Sequence, residues 1–463
     1  MNFIHNLADF GSKIALLDDV GKSLSYQDLS KKADVLSAKI GSNKKFIIVK
    51  CKNNIKTIIA YIAALRGNHA VLMLDSELDS SLSEQLIAHY KPNILLDCST
   101  EDDEIQHQEI NDEKQDLHPD LALLLSTSGS TGSPKLVKLT QKNLQANAAS
   151  IAEYLQLDHS ESPITTLPLH YSYGLSIINS HLLVGAKILL TSHSIVSKEF
   201  WHFFKTAEAS SLAGVPYTYE MLKRLRIERM ELPSLRYMTQ AGGKLAPPLV
   251  EHFATITAEK NIHFYTMYGQ TEATARISYL PADKVLTKTG SIGIAIPSGK
   301  ISLEDSSGNI ISTPKTDGEL IYQGDNVMMG YAESASDLAL GDQLNGTLRT
   351  GDIAQFDEEG FFYITGRLKR FIKIFGNRVN LEEIEHELET QGFECKCVGE
   401  DNLLIIATLD ANNHEEIQQY ISQKYHFHHS VIKLYSVAKF PLNSSGKLQY
   451  SQLFDLYQSQ LTS

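Results

Sequence analysis

The sequence predicts an α/β protein with a large N-terminal domain built from βαβ units and a small C-terminal α+β domain. Three observations indicate this fold class. The first 98 residues alternate short β-rich runs with amphipathic stretches, which is the pattern of βαβ units. The chain has 463 residues, enough for about three domain-sized units. The pattern changes near residue 366, so we predict domains of residues 1–366 and 367–463.

The N-terminal elements follow one another at short intervals. The β-rich runs predict strands, and amphipathic stretches between them predict helices. An acidic, polar stretch over residues 100–120 predicts a solvated loop, and the apolar run after it predicts a strand at 121–125. The predicted strands before that loop are 46–51, 70–74 and 94–96, and the predicted helices are 55–65 and 82–90.

The C-terminal pattern begins after a predicted strand at residues 361–364. Asn380, with Glu383 three residues later, resembles a capping pair at a helix N-terminus. Leu381, Ile384 and Leu388 then fall on one face of the helix that follows. These features predict the small α+β domain.

Composition and charge exclude several classes of function. The net charge of -13 argues against nucleic-acid binding, which needs clustered lysine and arginine. The longest apolar run covers residues 58–65, far short of the roughly 18 residues of a membrane-spanning helix. The opening residues lack the basic and apolar regions of a signal peptide, and four cysteines do not make a disulfide framework in so long a chain. We therefore expect a cytoplasmic protein with no membrane span and no nucleic-acid partner.

A loop rich in glycine and hydroxyl groups lies between two predicted strands, at residues 126–135. Its sequence is Ser-Thr-Ser-Gly-Ser-Thr-Gly-Ser-Pro-Lys. Glycines let backbone N–H groups turn toward an anion, hydroxyls add donors, and Lys135 adds a positive charge. Pro134 stands where a Walker A loop has its second glycine, so this is a different loop. We interpret it as a polyphosphate-binding loop, with a flexible Gly/Ser linker as the alternative.

An aromatic and hydroxyl cluster with one carboxylate occupies residues 265–272. Tyr268 can stack on a base, Thr271 can donate to a phosphate, and Glu272 can hold Mg²⁺. An ordinary strand end with a surface glutamate explains the same residues. Taken alone, this segment does not decide between the two interpretations.

Two later turns carry one charged residue each. Asp352 follows Thr350 and Gly351, and a carboxylate at a tight turn can accept both hydroxyls of a ribose. Lys447 follows a Ser-Ser-Gly turn, where a lysine on a mobile tip can reach into a cleft. Each segment taken alone is also compatible with a simple surface turn.

Taken together, these segments resemble the adenylate-forming superfamily, which includes acyl- and aryl-CoA synthetases, luciferases and peptide-synthetase adenylation domains. The resemblance extends roughly from residue 24 to residue 450, and the segments occur in the family's order. They are the loop at 126–135, residues 268–272, Gly318-Glu319-Leu320 with Gly330-Tyr331, residues 350–352, Gly366-Arg367 through residues 376–378, and Gly446-Lys447.

The resemblance implies a large domain of several sheets plus a distorted barrel, and a small mobile domain that rotates about the hinge residue Lys369. It also implies ATP, Mg²⁺ and a thiol acceptor as ligands. The pyrophosphate part of ATP would be bound by Thr127, Ser128, Gly129, Ser130, Thr131, Gly132 and Lys135. The rest of the nucleotide would be bound by Gly242, Gly243, Lys244, Tyr268, Gly269, Gln270, Asp352 and Arg367.

The resemblance also implies three catalytic residues. Lys447 would act in the adenylation step, Thr271 would contact the α-phosphate, and Glu272 would hold the magnesium ion. The chain departs from the family at Gln141, where many members have histidine, and at Tyr450, where many have arginine. Gln141 cannot gain or lose a proton as histidine does. The replacement of arginine by Tyr450 would change the contacts that attach the C-terminal helix.

The leading hypothesis is a ligase that activates a carboxylic acid as an acyl-adenylate, releases pyrophosphate, and transfers the acyl group to a phosphopantetheine thiol. That thiol would belong to an acyl or peptidyl carrier protein, which the compact chain favours by analogy, or to coenzyme A. The alternatives are an amino-acid (D-alanine-like) carrier-protein ligase and a non-catalytic protein that binds nucleotide or acyl-adenylate.

The expected substrate is a small carboxylic acid. Its pocket would be lined by Tyr171, Tyr173, Val215, Pro216 and Ala241. Amino-acid-activating relatives carry an aspartate in the segment around Tyr171 that pairs with the α-ammonium, and this segment has none. Because an unpaired ammonium is costly to bury, we expect an acyl or aryl acid without a free α-amino group.

Overall fold

The computed structural model describes residues 2–100, 104–126, 135–375, 377–443 and 448–461. These residues form two compact units. The first unit comprises residues 2–100, 104–126, 135–301 and 322–348, and the second comprises residues 302–321, 349–375, 377–443 and 448–461. The predicted domain boundary between residues 366 and 367 marks the hinge about which the small domain would rotate. The division into compact units does not test that rotation, so the boundary stays a prediction.

The described residues form both helices and strands throughout. The α-helices are α1 (Tyr26–Ile40), α2 (Ile55–Arg66), α3 (Ser80–Tyr90), α4 (Gln141–Tyr154), α5 (Ser172–Val184), α6 (Lys198–Thr206), α7 (Pro216–Arg224), α8 (Pro247–Glu259), α9 (Leu381–Thr390), α10 (His414–Tyr425) and α11 (Tyr450–Leu461). The strands of the first half are β1 (Ile14–Asp18), β2 (Ser23–Ser25), β3 (Phe46–Cys51), β4 (Ala70–Asp75), β5 (Ile94–Asp97), β6 (Gln106–Glu109), β7 (Leu121–Ser126), β8 (Leu136–Thr140), β9 (Ile188–Leu190), β10 (Ser211–Gly214), β11 (Tyr237–Gln240) and β12 (His263–Tyr268). Those of the second half are β13 (Ser278–Leu280), β14 (Ile294–Ala295), β15 (Lys300–Glu304), β16 (Gly318–Gln323), β17 (Gly330–Ala332), β18 (Thr347–Phe356), β19 (Phe362–Arg367), β20 (Phe371–Ile374), β21 (Asn377–Asn380), β22 (Cys395–Glu400), β23 (Leu403–Thr408) and β24 (Ile432–Ser436).

A seven-stranded sheet with the order β17-β8-β7-β4-β3-β5-β6 confirms the predicted βαβ units. Strand β3 pairs in parallel with both β4 and β5, and α2 and α3 form the connections. Successive residues of β3 face opposite sides of the sheet. Ile47 and Val49 pack into one apolar core, and Phe46 and Ile48 pack into another. The sheet is therefore buried on both faces, which explains its nearly continuous apolar strands.

The predicted loop over residues 100–120 is wrong in part, because strand β6 lies within it. β6 pairs antiparallel with β5 and forms one edge of the sheet. Its residues are half-buried or exposed, so no apolar pattern marks it. The strand is held by backbone hydrogen bonds to β5, which a polar sequence does not reveal.

A five-stranded sheet of the first unit has the order β10-β11-β12-β13-β14. Strands β10, β11 and β12 are parallel to one another, and β13 and β14 continue the sheet antiparallel. Chain segments that follow β10, β11 and β12 therefore leave the sheet at the same edge. The first unit also has a three-stranded sheet with the order β2-β1-β9, and the distorted barrel stays a prediction.

The second unit confirms the predicted small α+β architecture. It contains the β20–β21 hairpin, the sheet β22-β23-β24, and most of the four-stranded sheet β15-β16-β18-β19. The side chain of Asn380 accepts a hydrogen bond from the backbone N–H of Glu382, so Asn380 caps α9 as predicted, and the reciprocal contact from Glu383 stays a prediction. Leu381, Ile384 and Leu388 are buried in the core of this unit. No helix of the described residues is long and apolar enough to cross a membrane.

Candidate active site

Three segments predicted to bind ligands follow the three parallel strands of the five-stranded sheet. Val215 and Pro216 follow β10, residues 241–244 follow β11, and residues 269–272 follow β12. In open α/β sheets, ligands bind in the crevice beyond the carboxyl ends of the parallel strands. The structure therefore places these segments, far apart in sequence, along one edge of the sheet.

The turn after β12 is constrained by a close backbone approach at Gly269. A Cβ atom at this position would lie 1.9 Å from the carbonyl oxygen of Ala275. Only glycine fits there, and the chain then enters a short 3-10 helix, Thr271–Ala273. The Gln270 side-chain amide donates to the Tyr268 hydroxyl over 3.2 Å. The aromatic and hydroxyl residues of this segment are thus held as one rigid turn.

Glu272 is oriented by a tyrosine from the seven-stranded sheet. The Tyr331 hydroxyl, on β17, donates to Glu272 Oε1 over 2.7 Å. The Lys135 ammonium lies 3.6 Å from the centroid of the Tyr331 ring and 3.4 Å from Glu333 Oε1. Burial raises the pKa of Tyr331, and the Glu272 charge raises it further. Tyr331 therefore stays protonated and acts as a donor to the carboxylate.

The start of α5 brings the predicted acid-pocket tyrosines to the same region. Ser172 Oγ lies 3.2 Å from Thr271 Oγ1. Tyr173 is buried, and its hydroxyl donates to the carbonyl oxygen of Thr239 on β11 over 3.0 Å. The rings of Tyr171 and Tyr173 lie 6.2 Å apart at 69°, and burial raises the pKa of Tyr171 to about 12. The two tyrosines of the predicted acid pocket therefore lie against each other, and Tyr173 is bonded to the sheet.

The segments after β10 and β11 also lie close together. The backbone N–H of Ala241 donates to the carbonyl oxygen of Gly214 over 3.2 Å. A Cβ atom at Gly243 would lie 3.0 Å from Pro216 Cγ, and Gly242 has a φ of 83°, which favours glycine. Val215 and Ala241 are buried, whereas Lys244 is exposed.

In the second unit, Asp352 lies within the long strand β18, not at a tight turn as predicted. It pairs with Arg367 of β19 in the antiparallel register. Arg367 Nε lies 2.7 Å from Asp352 Oδ1, and Asp352 is 1% exposed. Gly351 has a φ of 72°, and a local irregularity in the pairing follows at Ile353. This positive-φ glycine is the feature that resembled a turn in the sequence.

The predicted hinge residue Lys369 lies in the short 3-10 helix Leu368–Arg370. The next residue, Arg370, is anchored within the second unit. Its Nη2 lies 2.5 Å from Glu385 Oε1, and its guanidinium carbon lies 3.7 Å from the centroid of the Tyr450 ring. The Tyr450 hydroxyl donates to Glu385 over 3.1 Å. Tyr450 thus ties the start of α11 to α9.

Gln141, the other departure from the family, has a structural contact. Its side-chain amide donates to the carbonyl oxygen of Leu65 over 2.6 Å. This contact links the start of α4 to the end of α2 within the first unit. Several predicted ligand residues lie outside the described residues: Thr127, Ser128, Gly129, Ser130, Thr131, Gly132 and Lys447.

Sequence reasoning gave no role to two residues that the structure places beside the predicted site. The sequence indicated Tyr331 only as part of a family segment, whereas in the structure its hydroxyl donates a hydrogen bond to Glu272. Arg276 is 3% exposed, and its guanidinium lies 4.1 Å from the centroid of the Tyr173 ring. An arginine between Ala275 and Ile277, just before a strand, is the signal that identifies a buried charge.

The residues present fit a magnesium ion bound with a nucleotide better than one bound by protein alone. Among the described residues, no group of three or more histidine, cysteine, aspartate or glutamate side chains is placed to hold a metal. Glu272 offers a single oriented carboxylate. Mg²⁺ commonly takes one or two protein carboxylates and completes its coordination with phosphates and water.

Comparison with known proteins agrees with this arrangement. A family model described as AMP-binding enzyme matches residues 3–332. The 2-succinylbenzoate–CoA ligase of Bacillus mycoides (strain KBAB4) is 33% identical over 270 residues, which cover 57% of this chain and 53% of the relative. The chain thus matches about half the length of that relative. The corresponding ligase of Bacillus cereus (strain ATCC 14579) is 29% identical over 72% of this chain and 69% of its own.

Solved structures show the same fold. The o-succinylbenzoate CoA synthetase of Bacillus subtilis, in complex with its acyl-adenylate intermediate, superposes with a TM-score of 0.79 at 22% identity, over 98% of this chain and 97% of its own. The same enzyme in complex with ATP and magnesium gives a TM-score of 0.78 at 24% identity, over 98% of this chain and 99% of its own. At this identity the likeness concerns the fold.

Proposed function

Because this chain belongs to the family of AMP-binding enzymes, we propose that it is an ATP-dependent ligase that activates a carboxylic acid as an acyl-adenylate. The acyl group then passes to a thiol. The observation that carries the proposal is the assembly around Tyr331, whose hydroxyl orients the Glu272 carboxylate and whose ring lies under the ammonium of Lys135. Such an arrangement suits a metal-bound polyphosphate and gives the half-buried Glu272 carboxylate a fixed orientation.

Each residue of the first unit takes a role that its chemistry allows. Glu272 would hold Mg²⁺, which neutralises phosphate charge when bound. Lys135 would bind the pyrophosphate part of ATP. Thr271, with its hydroxyl beside Ser172, would donate to the α-phosphate, and Tyr268 would stack on adenine.

The family resemblance implies roles for two further residues. Asp352, fixed by Arg367, would accept hydrogen bonds from the ribose hydroxyls. Lys447 would neutralise charge shared by the attacking carboxylate and the α-phosphate. The phosphate loop at residues 127–134 and Lys447 enter this proposal through the family resemblance.

The proposed reaction has two steps. In the first, a carboxylate oxygen of the acid attacks the α-phosphorus of ATP, and the bond to the β-phosphate oxygen breaks to release pyrophosphate. In the second, a thiolate sulfur attacks the acyl carbonyl carbon, and the bond to the phosphate oxygen breaks to release AMP. The thiol proton leaves to solvent. Positioning and charge neutralisation by the fixed side chains supply the rate enhancement.

We propose coenzyme A as the thiol acceptor, in place of the carrier protein that the sequence favoured. The printed names of the similar ligases specify CoA, and 2-succinylbenzoate is the first acid to test. The cytoplasm, where ATP and CoA are available, remains the proposed location. The segment around Tyr171 still has no carboxylate for an α-ammonium, so the D-alanine-like alternative is disfavoured.

ATP–pyrophosphate exchange tests the proposal without an acceptor. Purified protein should exchange labelled pyrophosphate into ATP when 2-succinylbenzoate or another acyl or aryl acid is added. CoA or a phosphopantetheinylated carrier protein is then offered, and the thioester is measured by mass. ATP binding without exchange for any acid would establish the non-catalytic alternative. Exchange with D-alanine alone would establish the amino-acid ligase, and thioester only on the carrier would refute CoA as the acceptor.

A further inference from the structure

The turn that follows β12 contains a strained residue, Thr274. Its backbone has φ 61° and ψ -51°, a positive-φ conformation that is a true outlier for a β-branched residue. The backbone N–H of Ala275 donates to the carbonyl oxygen of Ala273 over 2.6 Å, so Thr274 is the central residue of a γ-turn of the rare, strained hand. Such a conformation persists only where the surrounding structure holds it, and it occurs most often at functional sites.

Asn326, from the loop between β16 and β17, makes contacts that hold this turn. Its side-chain amide donates to the carbonyl oxygens of Ala273, over 2.8 Å, and Arg276, over 2.7 Å. Its own carbonyl oxygen accepts from the Thr274 hydroxyl over 2.7 Å. Asn326 is 3% exposed, so these bonds form away from water. One buried residue therefore bonds Thr274 and the residues on both sides of it.

The side chain of Asn326 is itself held in one orientation. The Tyr322 hydroxyl donates to Asn326 Oδ1 over 2.8 Å, which leaves the amide nitrogen to face the two carbonyl oxygens of the turn. Tyr322 is fully buried, and burial raises the pKa of its hydroxyl, so the group stays protonated and remains a donor. The fold therefore sets the direction of the carboxamide before any ligand binds.

The strained turn is continuous with the residues proposed to contact phosphate and magnesium. The backbone N–H of Thr274 donates to the carbonyl oxygen of Thr271 over 2.9 Å. The backbone N–H of Met328, two residues after Asn326, donates to the carbonyl oxygen of Glu272 over 2.9 Å. Relaxation of Thr274 to a negative φ would rotate the peptide planes beside it and displace the short 3-10 helix that carries Thr271 and Glu272.

We propose that Asn326 is a positioning residue of the adenylation step, which holds the strained turn so that Thr271 and Glu272 face the α-phosphate and the magnesium ion. This inference rests on the proposed ligase function and adds a residue that acts through the turn. A displacement of about 1 Å in reacting groups can lower a rate roughly 100-fold. The hydrogen bonds of Asn326 offset the strain that this placement requires.

Five variants test the proposal by ATP–pyrophosphate exchange with an acid that the wild type activates. Asn326→Ala removes the carboxamide, and Thr274→Gly removes the strain, because glycine adopts a positive φ readily. The double variant shows whether the two effects are coupled. Tyr322→Phe removes the hydroxyl that orients Asn326. Asp325→Ala is the control, since this neighbouring side chain is exposed and pairs with the exposed Lys142 over 2.9 Å.

Asn326→Ala should lower kcat and kcat/KM by the same factor, roughly 100-fold, while circular dichroism shows a folded protein. Adding Thr274→Gly should recover roughly 10-fold of that loss, because the turn then forms without strain. Tyr322→Phe should lower kcat roughly 10-fold, as for other groups that orient a ligand side chain. Asp325→Ala should match the wild type. A purely structural role would lower the folded fraction and leave kcat per folded molecule unchanged.

Several results would overturn the inference. If Asn326→Ala folds and keeps its kcat, or if it raises KM alone, the residue does not position the reacting groups. If Thr274→Gly recovers nothing in the double variant, strain at Thr274 is not what Asn326 holds. If Asn326→Ala fails to fold, Tyr322→Phe decides, and an unchanged kcat there refutes the proposal. Absence of exchange in the wild type with every acid tested would refute the ligase function itself, and the positioning role with it.

Discussion

Replacing Arg370 with methionine should destabilise the second unit by about 3–5 kcal/mol, the typical cost of breaking one partner from a buried ion pair. Arg370 and Glu385 are each 9% exposed. Glu385 Oε1 accepts from Arg370 and, over 2.7 Å, from the backbone N–H of Cys397. After Arg370→Met, the Glu385 carboxylate remains buried and keeps two neutral donors, Cys397 and Tyr450.

A double variant separates the charge from the packing. Arg370→Met with Glu385→Leu removes both charges and should recover at least about 2 kcal/mol, since an apolar pair can replace a buried ion pair. The recovery is incomplete because the backbone N–H of Cys397 and the hydroxyl of Tyr450 both lose their acceptor, and a buried donor left unpaired costs roughly 1–3 kcal/mol. The double variant should therefore be more stable than the single one and less stable than the wild type.

Hydrogen exchange read by mass spectrometry measures this effect locally. Peptides that cover β22 and β23 should lose protection by roughly 100- to 4,000-fold in Arg370→Met, because about 1.4 kcal/mol corresponds to a factor of ten. The single tryptophan, Trp201, lies in the first unit and provides an internal control for urea unfolding. Unchanged protection of β22 in the single variant, or no recovery in the double variant, would refute the reasoning.

Three further predictions concern the first unit and the two half-reactions. Burial lowers the pKa of His181 from 6.5 to about 4, so between these pH values the unfolded chain binds more protons than the folded one. The free energy of unfolding should therefore fall by about 2 kcal/mol from pH 7.5 to pH 5. Urea unfolding followed by Trp201 fluorescence should show a smaller loss in His181→Gln. Tyr331→Phe should raise the Mg²⁺ requirement of ATP–pyrophosphate exchange roughly 10- to 100-fold, because Glu272 loses its oriented donor. Lys447→Ala should slow adenylation by about 10²- to 10³-fold and leave thioester formation from supplied acyl-adenylate intact.

Each of these predictions has an outcome that contradicts it. An equal pH dependence in His181→Gln and the wild type would show that other groups cause the loss. An unchanged magnesium titration in Tyr331→Phe would remove Glu272 from the metal site. If Lys447→Ala slows both half-reactions equally, the lysine does not belong to adenylation alone, and the proposed rotation about Lys369 loses its main support.

Local pattern was sufficient for the regular elements of the first unit. The predicted strand at residues 46–51 agrees with β3, and the predicted helix at 55–65 agrees with α2 to within one residue. Both elements are dense in apolar residues, so their periodicity is visible in one short window. β6 was missed because an exposed edge strand depends on its neighbour and has no apolar pattern of its own.

The sequence by itself determined the family and the order of the predicted ligand segments, because each segment is carried by residues close together in the chain. Only the tertiary structure showed which side chains from elsewhere in the sequence contact those segments. Tyr331 donates a hydrogen bond to Glu272, although 59 residues separate them in the sequence. The guanidinium of Arg276 lies against the ring of Tyr173, which belongs to α5. Such contacts arise from the pairing of strands and from burial, which bring together residues that are far apart in the sequence.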